Sequence, residues 1–556
     1  MVDKFARDFI KEIRNNIKEK DFLKAAYVLD HLDAVDRKTQ REALLALSRG
    51  DEDFVVPLII EVLAKRPELD ENCYGLKGTL ISKALCWTEH FLILLEKEFE
   101  TEKKILLAEI AGEMNIPEAT PILARLLSRE ENLRLVKSII KALGMIGSPG
   151  SINILAEYLY SWNAEIIIES AYALGQIQSA ESFQRLFERL GLDHDLDVII
   201  LDIFAKNQTP DALDRLNVAL SSRHAQVSSE AKKRLIKIGS KAVPFLLNNL
   251  SKDDPDLLIQ TLNALGEIGD ESAISFISKL LHSGPSDSNV RFSAYEALGE
   301  LHFEKGAIAL AIGLEDPEPN VRSAAAKAID HNYNSLLSSG IKNMIRDGGP
   351  EAENIVRAIV DSQCGEVFID LISEESFRSH AVEYLKEHAH PDTQSYFRSL
   401  LKKNKLKGYA SMISKSKTKI ENGALKVFAI DDSKMILSLY RTVLHNLGCK
   451  PQLFEFPSEA LKKLDEEKPD VILTDLNMPD INGIELAKGV RKLYGKEEIP
   501  VIMVTTQSES SDIQAAFKAG VNAILHKPFN EHQMGEAISQ FVKLPVDFSS
   551  LTGLKS

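Results

Sequence analysis

Acidic residues stand directly after two short apolar runs in the C-terminal part of the chain. Asp431 and Asp432 follow the run VFAI, and Asp475 follows VILT. If both runs end at one edge of a sheet, the three carboxylates repel one another unless a cation lies between them. Mg²⁺ fits such a site because it is a hard cation that prefers oxygen ligands. A carboxylate is already ionised at neutral pH, so it can attack a phosphoryl group without an activating base.

Two further residues follow apolar runs and could serve the same chemistry. Thr505 ends the run VIMV, and its hydroxyl can donate a hydrogen bond to a phosphoryl oxygen. Lys527 follows the segment AILH and supplies a positive charge. Phosphoryl transfer mainly requires positioning and neutralisation of charge, which these residue types provide. The set predicts a site that accepts a phosphoryl group.

The apolar runs alternate with amphipathic segments of 10–15 residues after Lys426. This alternation is typical of βα units with a parallel sheet. Ligands of such sheets bind at the carboxyl ends of the strands, where the residues above are expected to lie. Strands are expected near 426–431, 451–455, 470–475, 500–505 and 522–526.

The same residues carry a resemblance to the response-regulator receiver family, which has a flavodoxin-like fold. The matching motifs are AIDDS at 429–433, LTDLNMPDINGIEL at 473–486, VIMVTTQ at 501–507 and HKPF at 526–529. The resemblance extends from Leu425 to about Lys543. It implies that Asp475 is the phosphoacceptor, and that Asp431 and Asp432 are the acids of the Mg²⁺ site.

The resemblance also implies roles for the neighbouring residues. Asp475 and the backbone carbonyl of Asn477 complete the metal ligands. Thr505 is the switch hydroxyl and Lys527 the phosphate-binding lysine, followed in this family by a cis peptide bond at Pro528.

Two positions depart from the usual pattern of the family. Ile524 stands where an aromatic residue often rotates as part of the switch, and an isoleucine has no ring to move between exposed and buried positions. Thr505 is therefore expected to couple to the loop and helix that follow it. Thr506 stands where a smaller alanine is frequent, which is expected to slow access to the phosphoryl site.

An internal repeat occupies the preceding part of the chain. Phrases such as ALGMIG, ALGQIQ, ALGEIG and ALGELH recur, and one leucine of each phrase marks the period. The steps between these leucines are 31, 61, 30 and 33 residues, with the step of 61 holding two repeats: Leu143, Leu174, Leu235, Leu265 and Leu298. Each unit contains two helical patterns, and such a pair cannot bury its apolar face alone. Neighbouring units must therefore stack into a superhelix.

This pattern resembles the HEAT-repeat family in its short form of about 30 residues per repeat. The array is expected over residues 1–400, most clearly at 105–335, with degenerate ends that act as caps. A lysine-rich linker is expected at 401–424, because eight lysines but only one acidic residue, Glu421, lie between Lys402 and Lys426. The receiver is expected at 425–545 and a short tail at 546–556. The predicted protein is therefore multidomain, with an all-α solenoid followed by a five-stranded α/β receiver.

Composition excludes several other classes of protein. The net charge of −15 argues against a surface built for nucleic acid. Four scattered cysteines without metal-type spacing fit a reducing compartment. The N-terminus has no secretory apolar core, and no apolar run is long enough to span a membrane. A cytoplasmic protein is expected.

These observations predict a two-component response regulator rather than an enzyme. A sensor histidine kinase is expected to phosphorylate Asp475, and the array is expected to bind protein partners under the control of that phosphorylation. The sequence specifies neither those partners nor the oligomeric state.

Three alternatives stay open. The receiver could act as a phosphate sink without output. The repeats could belong to a lyase, since HEAT-like repeats occur in lyases that attach bilin pigments. A DNA-binding regulator is a third class, although only about a dozen residues follow Lys543 and no DNA-reading domain is expected there.

Overall fold

The computed structural model describes residues 2–72, 75–301, 307–413, 425–478, 481–505, 510–527 and 529–545. The chain forms two compact units, Met1–Leu216 and Asn217–Ser556. No helix in these described ranges is both long enough and apolar enough to cross a bilayer.

The first unit consists of helices joined by short turns. Short 3₁₀-helices occur at Leu32–Ala34, Pro117–Ala119 and Pro149–Ser151. Helix α15 (Pro210–Ala219) contains the residue boundary at Leu216. The α-helices are α1 (Val2–Glu19), α2 (Phe22–Leu29), α3 (Arg37–Ser48), α4 (Glu52–Lys65), α5 (Glu68–Asn72), α6 (Leu76–Leu85), α7 (Thr88–Lys97), α8 (Thr101–Glu113), α9 (Thr120–Leu127), α10 (Leu133–Ile146), α11 (Ile152–Tyr158), α12 (Ala164–Ile177), α13 (Ala180–Phe187), α14 (His194–Asn207) and α15 (Pro210–Ala219).

Small side chains set the spacing between successive repeats. A Cβ atom added at Gly144 in α10 would lie 2.6 Å from the Cα atom of Ala173 in α12, and one at Gly112 in α8 would lie 2.9 Å from the Cα atom of Ala142. Only glycine therefore allows these helices to approach so closely. The recurrent ALG phrase is thus a packing signature of the array.

The second unit continues the array. Some of its helices begin at polar caps: the side chain of Asp254 accepts the backbone N–H of Leu257, and that of Asp287 accepts the N–H of Val290. Short 3₁₀-helices lie at Gly239–Lys241, Glu271–Ala273 and Gly313–Glu315. The α-helices of this part are α16 (Ala225–Ile238), α17 (Val243–Asn249), α18 (Pro255–Ile268), α19 (Ile274–His282), α20 (Ser288–Glu300), α21 (Ala307–Ile312), α22 (Pro319–His331), α23 (Ser335–Met344), α24 (Pro350–Asp361), α25 (Gly365–Leu371), α26 (Glu375–Glu387), α27 (Pro391–Lys403) and α28 (Lys407–Met412).

A five-stranded parallel sheet follows in the same unit. The strands are β1 (Lys426–Ile430), β2 (Lys450–Phe454), β3 (Val471–Thr474), β4 (Val501–Thr505) and β5 (Ala523–His526). Their order is β2-β1-β3-β4-β5. The helices between and after them are α29 (Lys434–Asn446), α30 (Pro457–Leu464), α31 (Gly483–Leu493), α32 (Ser510–Ala519) and α33 (Glu531–Ser539). Each expected strand is present with ends within one residue of the prediction, so the predicted fold class is confirmed.

Apolar side chains cover both faces of the sheet. One cluster joins the sheet to α29 and α33, with Tyr440, Phe529 and Met534 among its buried members. The other joins it to α30, α31 and α32 around Phe428 and Met503. Burial on both faces explains why the strands read as continuous apolar runs rather than alternating ones.

The lysine-rich segment begins as helix. Helix α27 extends to Lys403 and α28 ends at Met412. The rest of the predicted linker, 414–424, and the predicted tail, 546–556, lie outside the described residues. The three domain boundaries taken from the sequence stay predictions.

Candidate functional site

The three predicted acids meet at the carboxyl edge of the sheet. Strands β1 and β3 are neighbours, and Ile430 pairs with Thr474 directly before the acids. Asp431 is 1% exposed and Asp475 is 9% exposed. The backbone N–H of Asp475 donates to the carbonyl of Ile430 at 3.0 Å, which fixes the end of β3 beside the end of β1.

Lys527 lies between two of these carboxylates. Its Nζ is 2.7 Å from Oδ2 of Asp431 and 3.3 Å from Oδ1 of Asp475. Its backbone N–H donates to the carbonyl of Thr505 at 2.8 Å, so strand pairing positions the lysine. Thr505 itself is buried at the end of β4. The structure therefore brings the two acids, the lysine and the threonine strand end together.

Burial and neighbouring charges shift the pKa values of the residues in the site. Burial raises the pKa of Asp431 to about 8, and the charges of Asp475 and Asp432 add to the rise although Lys527 opposes it. Burial and the charge of Asp475 raise the pKa of Asp432 to about 6. Burial alone would lower the pKa of Lys527, but the charges of Asp431 and Asp475 raise it well above its usual value. The site thus has more negative charge than one lysine offsets.

The donor set fits Mg²⁺. Three carboxylates and Asn477 line one cavity of about 90 Å³, which is room for a small cation and a few waters. Within the described part of the chain, no three acidic, histidine or cysteine side chains are already gathered around one point as metal ligands. Lys527 is the counter-ion of the carboxylates in this arrangement.

Backbone N–H groups fix the segment after Asp475 through hydrogen bonds. The N–H of Asn477 donates to Oδ2 of Asp475 at 3.3 Å, and the N–H of Gly483 donates to the carbonyl of Leu476 at 2.9 Å. A Cβ atom at Gly483 would collide with the carbonyl oxygen of Asp475. Gly483 is therefore required for close approach, a role that the Asn-Gly pair in the sequence signals but that the prediction did not assign.

The predicted site also includes Ile524, Thr506 and Pro528. Ile524 pairs with Met503 across β4 and β5 and packs half-buried on the apolar cluster around Phe428. Thr506 and Pro528 lie outside the described residues. The proposed roles of these positions stay predictions.

Residues of the array also line the site, although no sequence motif predicts them. Lys232, Asn289 and Glu296 border the cavity that contains Asp475 and Lys527. The hydroxyl of Ser433 donates to Oε1 of Glu296 at 2.5 Å. Burial, followed by the charge of Asp432, raises the pKa of Glu296. Nothing local in the sequence marks these residues, because the repeats that carry them precede the receiver by more than a hundred residues.

Comparisons with known proteins agree with both parts of this architecture. The family model for the response regulator receiver domain matches residues 427–539, and that for HEAT repeats matches 88–172 and 243–330. Chemotaxis protein CheY1 of Helicobacter pylori is 37% identical over 116 residues, which are 20% of this chain and 94% of that protein. The CheY homolog of Campylobacter jejuni is also 37% identical over 116 residues, covering 89% of that protein.

Solved structures are similar to the same region. Chemotaxis protein CheY4 of Vibrio cholerae matches with 30% identity and a TM-score of 0.21, covering 22% of this chain and all of that one. The sequence identity to the CheY proteins extends over nearly their whole length. Through residues 427–539 this chain belongs to the response regulator receiver family, and it carries HEAT repeats ahead of that domain.

Proposed function

We propose that the protein is a two-component response regulator in which a histidine kinase phosphorylates Asp475, with Mg²⁺ as the cofactor. The observation that carries this proposal is the geometry around Lys527, whose ammonium group lies within 3.3 Å of both Asp431 and Asp475. A cation so placed neutralises oxygens at the point where a phosphoryl group would arrive.

Each residue has a defined task in this proposal. The Asp475 carboxylate attacks the phosphorus of the donor, and the donor histidine leaves with the electron pair of the broken P–N bond. The Lys527 ammonium group then pairs with the phosphoryl oxygens, and the Thr505 hydroxyl donates a hydrogen bond to one of them. Asp431, Asp432, Asp475 and the Asn477 carbonyl would hold Mg²⁺. When bound, Mg²⁺ neutralises charge that develops on the transferred group.

The array supplies the second half of the proposed function. Stacked helix pairs offer an extended surface for protein partners. Phosphorylation shifts a pre-existing equilibrium between receiver conformations, and the array would carry that shift to its partners. Ile524 cannot contribute a rotating ring, so we place the switch in Thr505 and the segment after it.

The substitution Asp475→Asn tests the phosphoacceptor. Full-length protein is incubated with acetyl phosphate and Mg²⁺, and phosphorylation is measured by intact mass. The parent is expected to gain one phosphoryl group and Asp475→Asn none. Asp470→Asn is the matched control, because Asp470 is exposed just before the opposite end of the same strand and its carboxylate accepts the backbone N–H of Lys426. Undiminished phosphorylation of Asp475→Asn contradicts the assignment.

A further inference from the structure

The receiver of the second unit packs against the array that precedes it. Helices α22 and α24 of the array contact α29 of the receiver. Phe292 of α20 packs on the apolar cluster around Tyr440 and Phe529. The rings of His390 and His445 lie 4.4 Å apart, and the Ser438 hydroxyl donates to the carbonyl of Asp361 at 3.2 Å. Among the described residues, the contact therefore involves helices α20, α22 and α24 and the N-cap of α27.

Two polar contacts join the array to the edges of the phosphoacceptor site itself. The side-chain amide of Asn289 donates to the backbone carbonyl of Lys527 at 2.8 Å. The Ser433 hydroxyl, two residues beyond Asp431, donates to the Glu296 carboxylate at 2.5 Å. Both array residues lie on α20. This helix therefore binds the two loops that carry the lysine and the acids.

The array also closes the space in front of Asp475. The cavity of about 90 Å³ is bordered by receiver acids on one side and by Lys232, Asn289 and Glu296 on the other. Any protein that delivers a phosphoryl group must bring at least one helix or loop, and a helix with side chains is about 10–12 Å wide. Such a segment cannot enter while α20 lies over the site. A small phosphoryl compound does not face this restriction.

We propose that the array surface formed by α20, α22, α24 and the N-cap of α27 is a binding surface for the receiver of the same chain, and that the bound state closes Asp475 to macromolecular partners. The inference rests on the proposed function, because it takes the phosphodonor to be a protein. Release of the receiver precedes transfer from a protein donor. By linkage, anything that binds the exposed site competes with the array, and anything that weakens the array contact favours phosphorylation by a protein.

Access to the site can be measured without a phosphodonor. Asn477 and Lys232 both border this cavity, and the proposed role of Asn477 uses its backbone carbonyl, so Asn477→Cys places a thiol at the edge of the site. Full-length protein is treated with N-ethylmaleimide or with a 5 kDa maleimide-polyethylene glycol, which is about forty times heavier and far exceeds the cavity of about 90 Å³. Modification of residue 477 is followed by peptide mass, so native cysteines do not interfere.

Phe292→Ala is the releasing variant. Its side chain faces the receiver cluster, so truncation weakens the contact directly. In the Asn477→Cys parent, the bulky reagent is expected to react at least about tenfold more slowly than the small one. Phe292→Ala is expected to remove most of that difference, because it removes a packed aromatic side chain from the contact. Phe276→Ala is the matched control, because Phe276 is an exposed phenylalanine, 48% accessible, on the neighbouring helix α19. It should leave both rates unchanged.

A second variant keeps the test decisive if Phe292→Ala perturbs folding. Asn289→Ala removes the hydrogen bond to Lys527 without touching the apolar contact and is expected to raise only the bulky rate. Hydrogen exchange of 434–446 in the full chain reports release independently, since released helices lose protection. Equal rates for the two reagents in the parent, or a size dependence that neither variant alters, overturn the inference. Phosphorylation of Asp475 by acetyl phosphate distinguishes the two proposals. Phosphorylation together with equal maleimide rates contradicts only the closure of the site, whereas absence of phosphorylation contradicts the proposed function.

Discussion

At the residue scale, a single ammonium group lies between two buried carboxylates. Lys527 contacts Asp431 and Asp475, and its side chain is 11% exposed. Removal of one partner from a buried ion pair leaves the other charges uncompensated, which costs more than the pair contributes by itself. The same lysine therefore stabilises the fold and prepares the site for a phosphoryl group.

Lys527→Met is expected to lower the free energy of unfolding of the full chain by about 3–5 kcal/mol, as breaking a buried ion pair does. Lys463→Met is the matched control, because its pair with Glu466 is exposed, with side-chain accessibilities of 36% and 71%. That change should cost at most about 1 kcal/mol. Urea unfolding at neutral pH measures both variants. Equal effects would show that the Lys527 contacts are energetically unimportant.

Tyr440 gives a prediction of the opposite sign. Its hydroxyl is buried and has no hydrogen-bond partner among the residues described, and its ring stacks on Phe529 with centroids 5.6 Å apart. Tyr440→Phe keeps that stacking and removes an unsatisfied polar atom, so stability should stay unchanged or rise by about 1 kcal/mol.

Tyr384→Phe is the comparison for this tyrosine. The hydroxyl of Tyr384 is 2.9 Å from both carboxylate oxygens of Asp361, so its loss should cost about 1.5–3 kcal/mol. Urea midpoints of both variants give the result. A clear loss of stability in Tyr440→Phe would mean that this hydroxyl has a partner in solution.

The sequence predicted some of these residues and not others for a physical reason. Asp431, Asp475 and Lys527 follow apolar runs, and the carboxyl ends of parallel strands must share one edge, so local pattern sufficed. The bond between Ser433 and Glu296 spans 137 residues and depends on how two packed surfaces meet. No periodicity or motif near Glu296 predicts that contact.

At the element scale, the close approach of successive repeat helices depends on glycine and alanine. The ALG phrases could be identified from the sequence because the same crossing recurs about every 30 residues. Their period predicted stacking, while the distances at each crossing required the structure. Tightness differs between crossings, since a Cβ at Gly299 would meet Ala328 at an ordinary 3.4 Å.

Gly144→Ala is expected to destabilise the first unit by about 1–3 kcal/mol, the usual range for overpacking, since its new Cβ would lie 2.6 Å from the Cα of Ala173. Gly78→Ala is the matched control on helix α6, where an added Cβ meets nothing within 4 Å. Alanine has the higher helix propensity, so this variant should be neutral or stabilised by up to about 1 kcal/mol. Thermal unfolding followed by circular dichroism distinguishes the two. Similar shifts for both would contradict the packing argument.

At the scale of the whole second unit, repeats and receiver pack together around polar and titratable groups. The order of the two folds along the chain could be predicted, because each has its own period and its own motifs. Their contact could not, since it joins α20, α22, α24 and the cap of α27 to one face of the receiver through side chains that are ordinary in sequence. We expect one of these contacts to make the packing sensitive to acid.

His390 lies at that contact and favours its neutral form. Burial, and then the charges of His445 and Arg441, lower its pKa to about 4, while Asp392 opposes the shift. Its Nδ1 accepts the backbone N–H of Asp392 at 3.1 Å, which requires an unprotonated nitrogen. Burial also lowers the pKa of His445. The unfolded chain therefore binds protons at a higher pH than the folded chain does, so this contribution to stability is complete above about pH 6.5 and is lost as the pH falls toward 4.

Asp361 acts in the opposite direction in the same region. Burial raises its pKa to about 6 although Arg357 and Tyr384 oppose the shift. The folded state then binds a proton at a higher pH than the unfolded state, so the penalty for this buried carboxylate decreases as the pH falls below about 6. The net pH profile of the parent contains both effects. Only a difference between variants isolates the histidine.

The substitution His390→Gln provides that difference. The parent should lose about 2 kcal/mol between pH 7 and pH 5 that the variant does not lose, the amount that linkage gives for a histidine with pKa values of about 6.5 unfolded and 4 folded. Urea unfolding at pH 7, 6 and 5 measures it, and hydrogen exchange of 434–446 should show the receiver helix losing protection over the same interval. His31→Gln, at an exposed histidine of the first unit, should reproduce the parent profile. If His390→Gln has the same pH dependence as the parent, the acid sensitivity of the second unit arises elsewhere, and the His390–His445 contact contributes packing alone.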